Sequence, residues 1–251
     1  MIRDATGRFF EDHGMTSTRP AWPQAHWLDA DTVLVLNVLG DYRADLLPNE
    51  LGIVREMTTH RSLEFASGRH VGRLALAAIG QPPDSIPMGA GGEPIFPQGV
   101  VGSLSHTSSH VAALVSRADR HASVGVDVGD ARTLGKAAAR LMTTAEIALV
   151  TAKGWASTEA QAQNAVFGAK EALFKCQYPL TQKRDLDFDE VTLVAGGHSA
   201  GLSAQLASTE PQVEAVITHI GIFYLEIQQV RCAVALLPIR EGDVAFSDTR
   251  A

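Results

Sequence analysis

The chain has only five lysines in 251 residues, and none precedes Lys136. Any anionic ligand held by the first half must therefore be gripped by arginine, histidine or backbone amides. Cysteine is almost as scarce. Cys176 and Cys232 give no disulfide framework, which fits a reducing cytoplasm. No apolar run approaches the roughly 20 residues that cross a bilayer. The first 15 residues are charged and lack the apolar core of a secretory signal, so a cytoplasmic location is expected. Positive charge is also short: 21 basic residues face 28 acidic ones, for a net charge of −7. That argues against a general nucleic-acid binder and requires a local basic cluster for any anion. What is present is an ordinary apolar content of 45%, enough at this length for a substantial core in one large domain or two small ones.

Residues 1–20 are polar and read as a loose arm. Thr32 to Val38 is a short apolar run that predicts a buried strand. Pro48 suits the first turn of a helix. From Met57 to Ile79, Leu63, Ala66, His70, Leu74 and Ala77 recur at steps of three and four, which predicts an amphipathic helix ended by Gly80 and Pro82-Pro83. Arg61, Arg69 and Arg73 fall within a limited arc of it: either a solvated basic face or a phosphate grip. A loop rich in proline and glycine follows over 81–99. Its Gly89-Ala90-Gly91-Gly92 has no strand before it and no lysine after it, so a P-loop is not indicated.

Val100 to Leu104 and Val111 to Ser116 read as strands around a Ser-rich turn that carries Ser105 and His106. Adjacent residues of a strand point to opposite faces, which disfavours a Ser–His nucleophile pair. The second glycine of a nucleophile elbow is also missing. Ser123 to Val128 predicts another strand, with Asp127 as its one charge. A carboxylate there requires a partner or a metal. Thr143-Thr144-Ala145-Glu146 is a capping box that opens a helix to about Thr151, and Glu146 reads as structural. Ser157 or Thr158 begins a long helix to Lys175, and after Pro179 the chain reads as strands: 186–194, 202–206, part of 213–227, and 230–237. Residues 240–251 read as a frayed tail.

The long helix holds Phe167-Gly168-Ala169-Lys170-Glu171-Ala172-Leu173-Phe174-Lys175. Taken alone, Glu171 and Lys175 are an i,i+4 ion pair worth about 0.3–0.5 kcal/mol. Taken in order with Arg61-x-x-Glu64-Phe65, Gly68-Arg69, Gly102-Ser103-Leu104-Ser105-His106 and Gly125-Val126-Asp127, it resembles the 4′-phosphopantetheinyl transferases. The likeness is to the larger monomeric type that serves siderophore, peptide and polyketide synthases. It covers roughly residues 50–180.

The resemblance implies an α+β fold of two similar halves related by a pseudo-two-fold, with the active site at their junction. The corresponding division is an arm over 1–20, a first half over 21–122 and a second over 123–251. The implied reaction moves 4′-phosphopantetheine from coenzyme A to a serine of an acyl or peptidyl carrier protein, releasing adenosine 3′,5′-bisphosphate. By resemblance, Asp127 and Glu171 hold Mg²⁺, and Glu171, Lys175, Lys170 and Asp127 are the catalytic set. Arg61, Arg69, Ser105, His106, Lys170 and Lys175 contact coenzyme A. Gly154-Trp155 is a candidate carrier-protein loop. The expected partners are coenzyme A and carrier proteins, with no nucleic acid, no membrane and a monomeric state.

One position departs from the family pattern. Two residues after the aspartate the family has a second metal-binding carboxylate, and here that residue is Gly129. Asp130 has suitable chemistry but the opposite strand face, reachable through a bulge. Mg²⁺ often uses one or two carboxylates plus substrate phosphates, so Asp127 and Glu171 remain a workable pair. The alternative is a relative that binds coenzyme A or a carrier protein without transfer.

Overall fold

A computed structural model describes residues 22–129, 134, 141–196, 201–207 and 210–239. The arm over 1–20, the tail over 240–251 and Asp130 lie outside the described residues. Helices and antiparallel strands together give an α+β fold. The chain divides into two compact units, 1–117 and 118–251. Among the described residues no helix is long and apolar enough to cross a membrane.

The first unit has a four-stranded antiparallel sheet in the order β1-β2-β4-β3. Its strands are β1 (Gln24–Trp27), β2 (Thr32–Val38), β3 (Val100–His106) and β4 (His110–Arg117). The apolar run of β2 is buried over six of its seven residues, as its unbroken hydrophobicity predicts. Helix α1 (Pro48–Val54) opens on Pro48, and α2 (Thr59–Ala78) is capped by the Thr58 side chain, which accepts from the Arg61 amide. Helix α2 forms where the periodicity predicts it, but its buried face is turned from the predicted one. Of Leu63, Ala66, His70, Leu74 and Ala77 only Ala66 is buried, while Val71, Ala75 and Leu76 pack with Val33, Val35, Val111, Ala113 and Val115 of the sheet.

A buried ion pair fixes the loop side of this unit. Glu50 of α1 is fully buried. It accepts from Arg73 Nη1 at 2.9 Å and from the backbone amides of Leu47 and Ile86 at 3.0 and 2.9 Å. Arg73 also donates to the Asp45 carbonyl at 2.7 Å. Among the described residues, Arg73 is thus held by Glu50 and the Asp45 carbonyl.

The second unit has a five-stranded antiparallel sheet in the order β5-β9-β8-β7-β6. These are β5 (His121–Gly129), β6 (Val191–Ala195), β7 (Leu202–Leu206), β8 (Gly221–Ile227) and β9 (Val230–Pro238). Helices α3 (Thr144–Ala152), α4 (Glu159–Thr181) and α5 (Pro211–Ile217) complete it. Ala162, Ala165, Val166, Ala169, Ala172, Leu173 and Cys176 of α4 pack in the main core with Ala233 and Ala235 of β9.

Two details differ from the sequence reading. Pro179 does not end α4. It lacks an N–H to donate within the helix, yet α4 runs to Thr181 and stops where Gln182 takes a left-handed φ of 54°. The start of the 213–227 segment is helix α5, because Pro211 sits in its first turn and Val213, Val216 and Ile217 share a buried face.

Gly125 sets the spacing between β5 and α4. A Cβ there would lie 1.9 Å from the Ala172 carbonyl oxygen and 2.8 Å from the Cys176 amide. Only glycine lets the helix backbone approach the strand so closely.

Candidate functional site

Asp127 and Glu171 are brought near each other in the second unit by the antiparallel run of α4 along β5. Gly125 faces Ala172 of the helix, and Asp127 Oδ2 lies 3.5 Å from where a Gly168 Cβ would stand. Lys175 binds this end of the strand. Its Nζ donates to Asp127 Oδ1 at 2.7 Å and to the Val126 carbonyl at 3.1 Å. Glu171 sits one helical turn before Lys175. Burial pushes its carboxyl above the ordinary glutamate value; the Lys175 charge pulls it down, and Asp127 pushes it up again. Asp127 and Lys175 are thus the two charges that bear on Glu171, with opposite signs.

Two carboxylates and a lysine can hold a divalent ion only in an open arrangement. Among the described residues no group of three His, Cys, Asp or Glu side chains could form a metal cage. Mg²⁺ needs no such cage when substrate phosphates and waters fill the remaining positions, and Asp127 and Glu171 are carboxylates of the kind that ion takes.

Lys170 is engaged within the second unit. Its side chain is 3% exposed, and Nζ donates to the Leu141 and Phe188 carbonyls at 2.9 and 2.8 Å and meets Glu146 Oε1 at 3.0 Å. An ammonium has three protons, and these three acceptors match them. Glu146 is fully buried and supports the capping box of α3, with Thr143 N donating to Oε2 at 2.8 Å. It also accepts from Leu193 N of β6 at 3.0 Å. The structural reading of Glu146 thus extends to a role that spacing does not reveal: counterion to Lys170.

In the first unit, Arg61, Glu64, His60 and His106 form one exposed cluster. Arg61 Nη1 lies 2.9 Å from Glu64 Oε2 and 3.1 Å from His106 Nε2. Glu64 Oε1 lies 3.1 Å from His60 Nδ1 and 3.6 Å from His106 Nδ1. Ser105 is buried while its strand neighbour His106 is exposed, the opposite-face arrangement that disfavours a hydrolase pair. Arg69 is turned inward. Its Nε donates to the Ile86 carbonyl at 2.8 Å, and its guanidinium lies 3.7 Å from the Phe65 ring centre. Burial lowers its pKa to about 10. Arg69 anchors the loop after α2, whereas Arg61 and His106 are exposed.

Sequence reasoning gave no role to Arg231, Asn164 or Tyr224. These residues, with Gly129, line a cavity of about 270 Å³ in the second unit. Tyr224 stacks on Trp155 at 5.4 Å, and burial pushes its phenol up to about 12. The signal that could have pointed there is Gly129 itself, a missing side chain on the strand face that carries Asp127.

The sequence matches two family descriptions: the 4′-phosphopantetheinyl transferase N-terminal domain over residues 49–116, and the 4′-phosphopantetheinyl transferase superfamily over residues 123–235. Among curated relatives, the 4′-phosphopantetheinyl transferase Npt of Nocardia iowensis is 36% identical over 60% of this chain and 67% of its own length. The 4′-phosphopantetheinyl transferase PptT of Mycobacterium tuberculosis is 34% identical over 64% of this chain and 70% of its own. The 4′-phosphopantetheinyl transferase Svp of Streptomyces mobaraensis is 34% identical over 67% of this chain and 68% of its own.

Proposed function

The chain belongs to the 4′-phosphopantetheinyl transferase superfamily, and from that premise we propose that its second unit carries out the transfer with Asp127, Glu171 and Lys175 as the working groups. The enzyme moves 4′-phosphopantetheine from coenzyme A to a serine of a carrier protein. The serine oxygen forms a bond to the phosphorus that bears pantetheine. The P–O bond to the other phosphate breaks, and adenosine 3′,5′-bisphosphate leaves. Such displacement depends mainly on positioning and on stabilising charge.

The observation that carries this reading is the Asp127–Lys175–Glu171 arrangement. Glu171 receives the serine proton, and the upward pull of burial makes it a better base than an exposed glutamate. Lys175 holds Asp127 in place and offers charge to the diphosphate. Mg²⁺ bound by Asp127 and Glu171 would neutralise charge on the diphosphate. In the first unit, Arg61 and His106 are suited to nucleotide phosphates. Ser105 is buried beside them in sequence, and Arg69 supports the loop that follows α2. Lys170 stabilises the second unit and is left out of the phosphate contacts. A cytoplasmic, monomeric enzyme serving secondary-metabolite synthases accords with the charge, the cysteine content and the family type.

The test is direct. Full-length protein is incubated with an apo-carrier protein, coenzyme A and Mg²⁺, and the intact mass of the carrier is read. The expected result is a gain equal to one phosphopantetheine. Unmodified carriers across several carrier types, with Mn²⁺ also tried, would leave the binding-only alternative, which nothing among the relatives favours.

A further inference from the structure

Of the three arginines in α2, two are spent inside the first unit. Arg69 donates to the Ile86 and Pro87 carbonyls, and Arg73 to Glu50 and the Asp45 carbonyl. Arg61 is exposed. With no lysine before Lys136, the grip this unit offers a phosphate rests on Arg61 and on His106 at the end of β3. One carboxylate holds both. Glu64 follows His60 by four residues and Arg61 by three, so these side chains share a face of α2. Its Oε2 accepts from Arg61 Nη1 at 2.9 Å, and its Oε1 lies 3.1 Å from His60 Nδ1 and 3.6 Å from His106 Nδ1. The Glu64 side chain is 14% exposed, against 52% for Arg61 and 33% for His106. The acid is the sheltered member of the cluster.

The contact between Arg61 and His106 fixes a proton. Arg61 Nη1 lies 3.1 Å from His106 Nε2. A guanidinium donates and never accepts, so His106 Nε2 is the acceptor and carries no hydrogen. The imidazole proton then stands on Nδ1, the nitrogen that meets Glu64. Nη1 has two hydrogens, one for Glu64 and one for His106. The donors on Nη2 and Nε are not spent on either contact.

We propose that Glu64 is a positioning residue for the nucleotide end of coenzyme A: it holds Arg61 and His106 side by side, with the His106 proton on Nδ1, before a phosphate arrives. A long arginine side chain otherwise loses its rotamer freedom on binding, and that loss is taken from the affinity. Glu64 itself does not touch the phosphate, because its charge repels one. The two effects have opposite signs. On charge alone, removing the carboxylate would tighten the hold on an anion, so weaker binding reports lost geometry. The proposal rests on the transferase reading only in naming coenzyme A as the source of the phosphate.

The test is Glu64→Gln in the full chain, which keeps the shape and removes the charge. In the carrier mass assay it should raise the KM for coenzyme A about 5- to 100-fold, the range for two side chains ordered on binding and not before it. Its kcat should stay within about threefold of wild type. Calorimetry should show the same weakening for coenzyme A and for adenosine 3′,5′-bisphosphate. In an Arg61→Ala background the substitution should cost less than in wild type, because residues that act through one another are not additive. Imidazole ¹⁵N spectra of the ligand-free chain should show His106 with a bare Nε2 in wild type, and with the proton moved toward Nε2 in Glu64→Gln. Unchanged or tighter binding by Glu64→Gln, or a wild-type His106 protonated at Nε2, overturns the role. So does a wild type that binds neither nucleotide. A wild type that binds both, and is weakened by Glu64→Gln, yet modifies no carrier upholds the role and overturns the transferase reading. Thermal melting checks the fold of each variant, and the wild-type spectrum decides even where a variant melts early.

Discussion

Glu171→Gln is expected to lower phosphopantetheine transfer by about 10²- to 10⁴-fold, the usual worth of a positioned general base. Coenzyme A binding should fall far less. The substitution keeps shape and a hydrogen-bonding amide but removes the proposed proton acceptor and one of the two carboxylates proposed to hold Mg²⁺. The check is kcat from the carrier mass assay beside calorimetry with coenzyme A. Transfer within a few-fold of wild type would move the base elsewhere.

The pH profile gives the same group a second test. Burial, the largest influence, raises the Glu171 pKa from 4.5. The base form therefore appears at higher pH than in an ordinary glutamate, and the acid limb of kcat/KM should be shifted upward. The sign for stability runs the other way. A carboxyl whose pKa is raised on folding binds its proton more tightly in the folded state, so its contribution falls as pH rises from the unfolded value through the folded one. The site thus gives up some stability to keep a poised base.

The second large effect falls outside the reacting groups. Glu146→Ala leaves Lys170 buried without its counterion and is expected to cost about 3–5 kcal/mol. At roughly 2–4 °C per kcal/mol for a chain of this size, that is a clear drop in melting temperature. Glu146→Gln with Lys170→Met should be less destabilised than the two single losses added together, because neither charge is then left alone. Additive losses, or a Glu146→Ala variant that melts with wild type, would remove the pair from the list of what holds α3, α4 and β6 together.

Local pattern made much of this protein legible. The uninterrupted run at Thr32–Val38, the spacing in α2, the Thr143–Glu146 cap and the single carboxylate in β5 are signals that neighbours in sequence carry. The partners that decide a role come from far away, and these were hidden. Lys170 stands beside Glu171 in sequence, yet Glu146, Leu141 and Phe188 claim its protons. Arg69 shares an arc with Arg61, but loop carbonyls seventeen and eighteen residues on turn it inward. Gly129 read as a loss, because a sequence shows a missing side chain but not the cavity that it lines.

Burial also silences both thiols. Cys176 follows Lys175 directly, and Cys232 pairs with Val128 across the sheet. Both are raised to about 12 by burial, so neither supplies appreciable thiolate at neutral pH. Cys232 faces the side of the sheet away from α4, but an alkylating reagent can react with Cys176 only when α4 lifts from β5. Cys176 is therefore a native clock for the opening of the layer between α4 and β5, and slower labelling in the presence of coenzyme A would time how firmly the ligand keeps that layer shut.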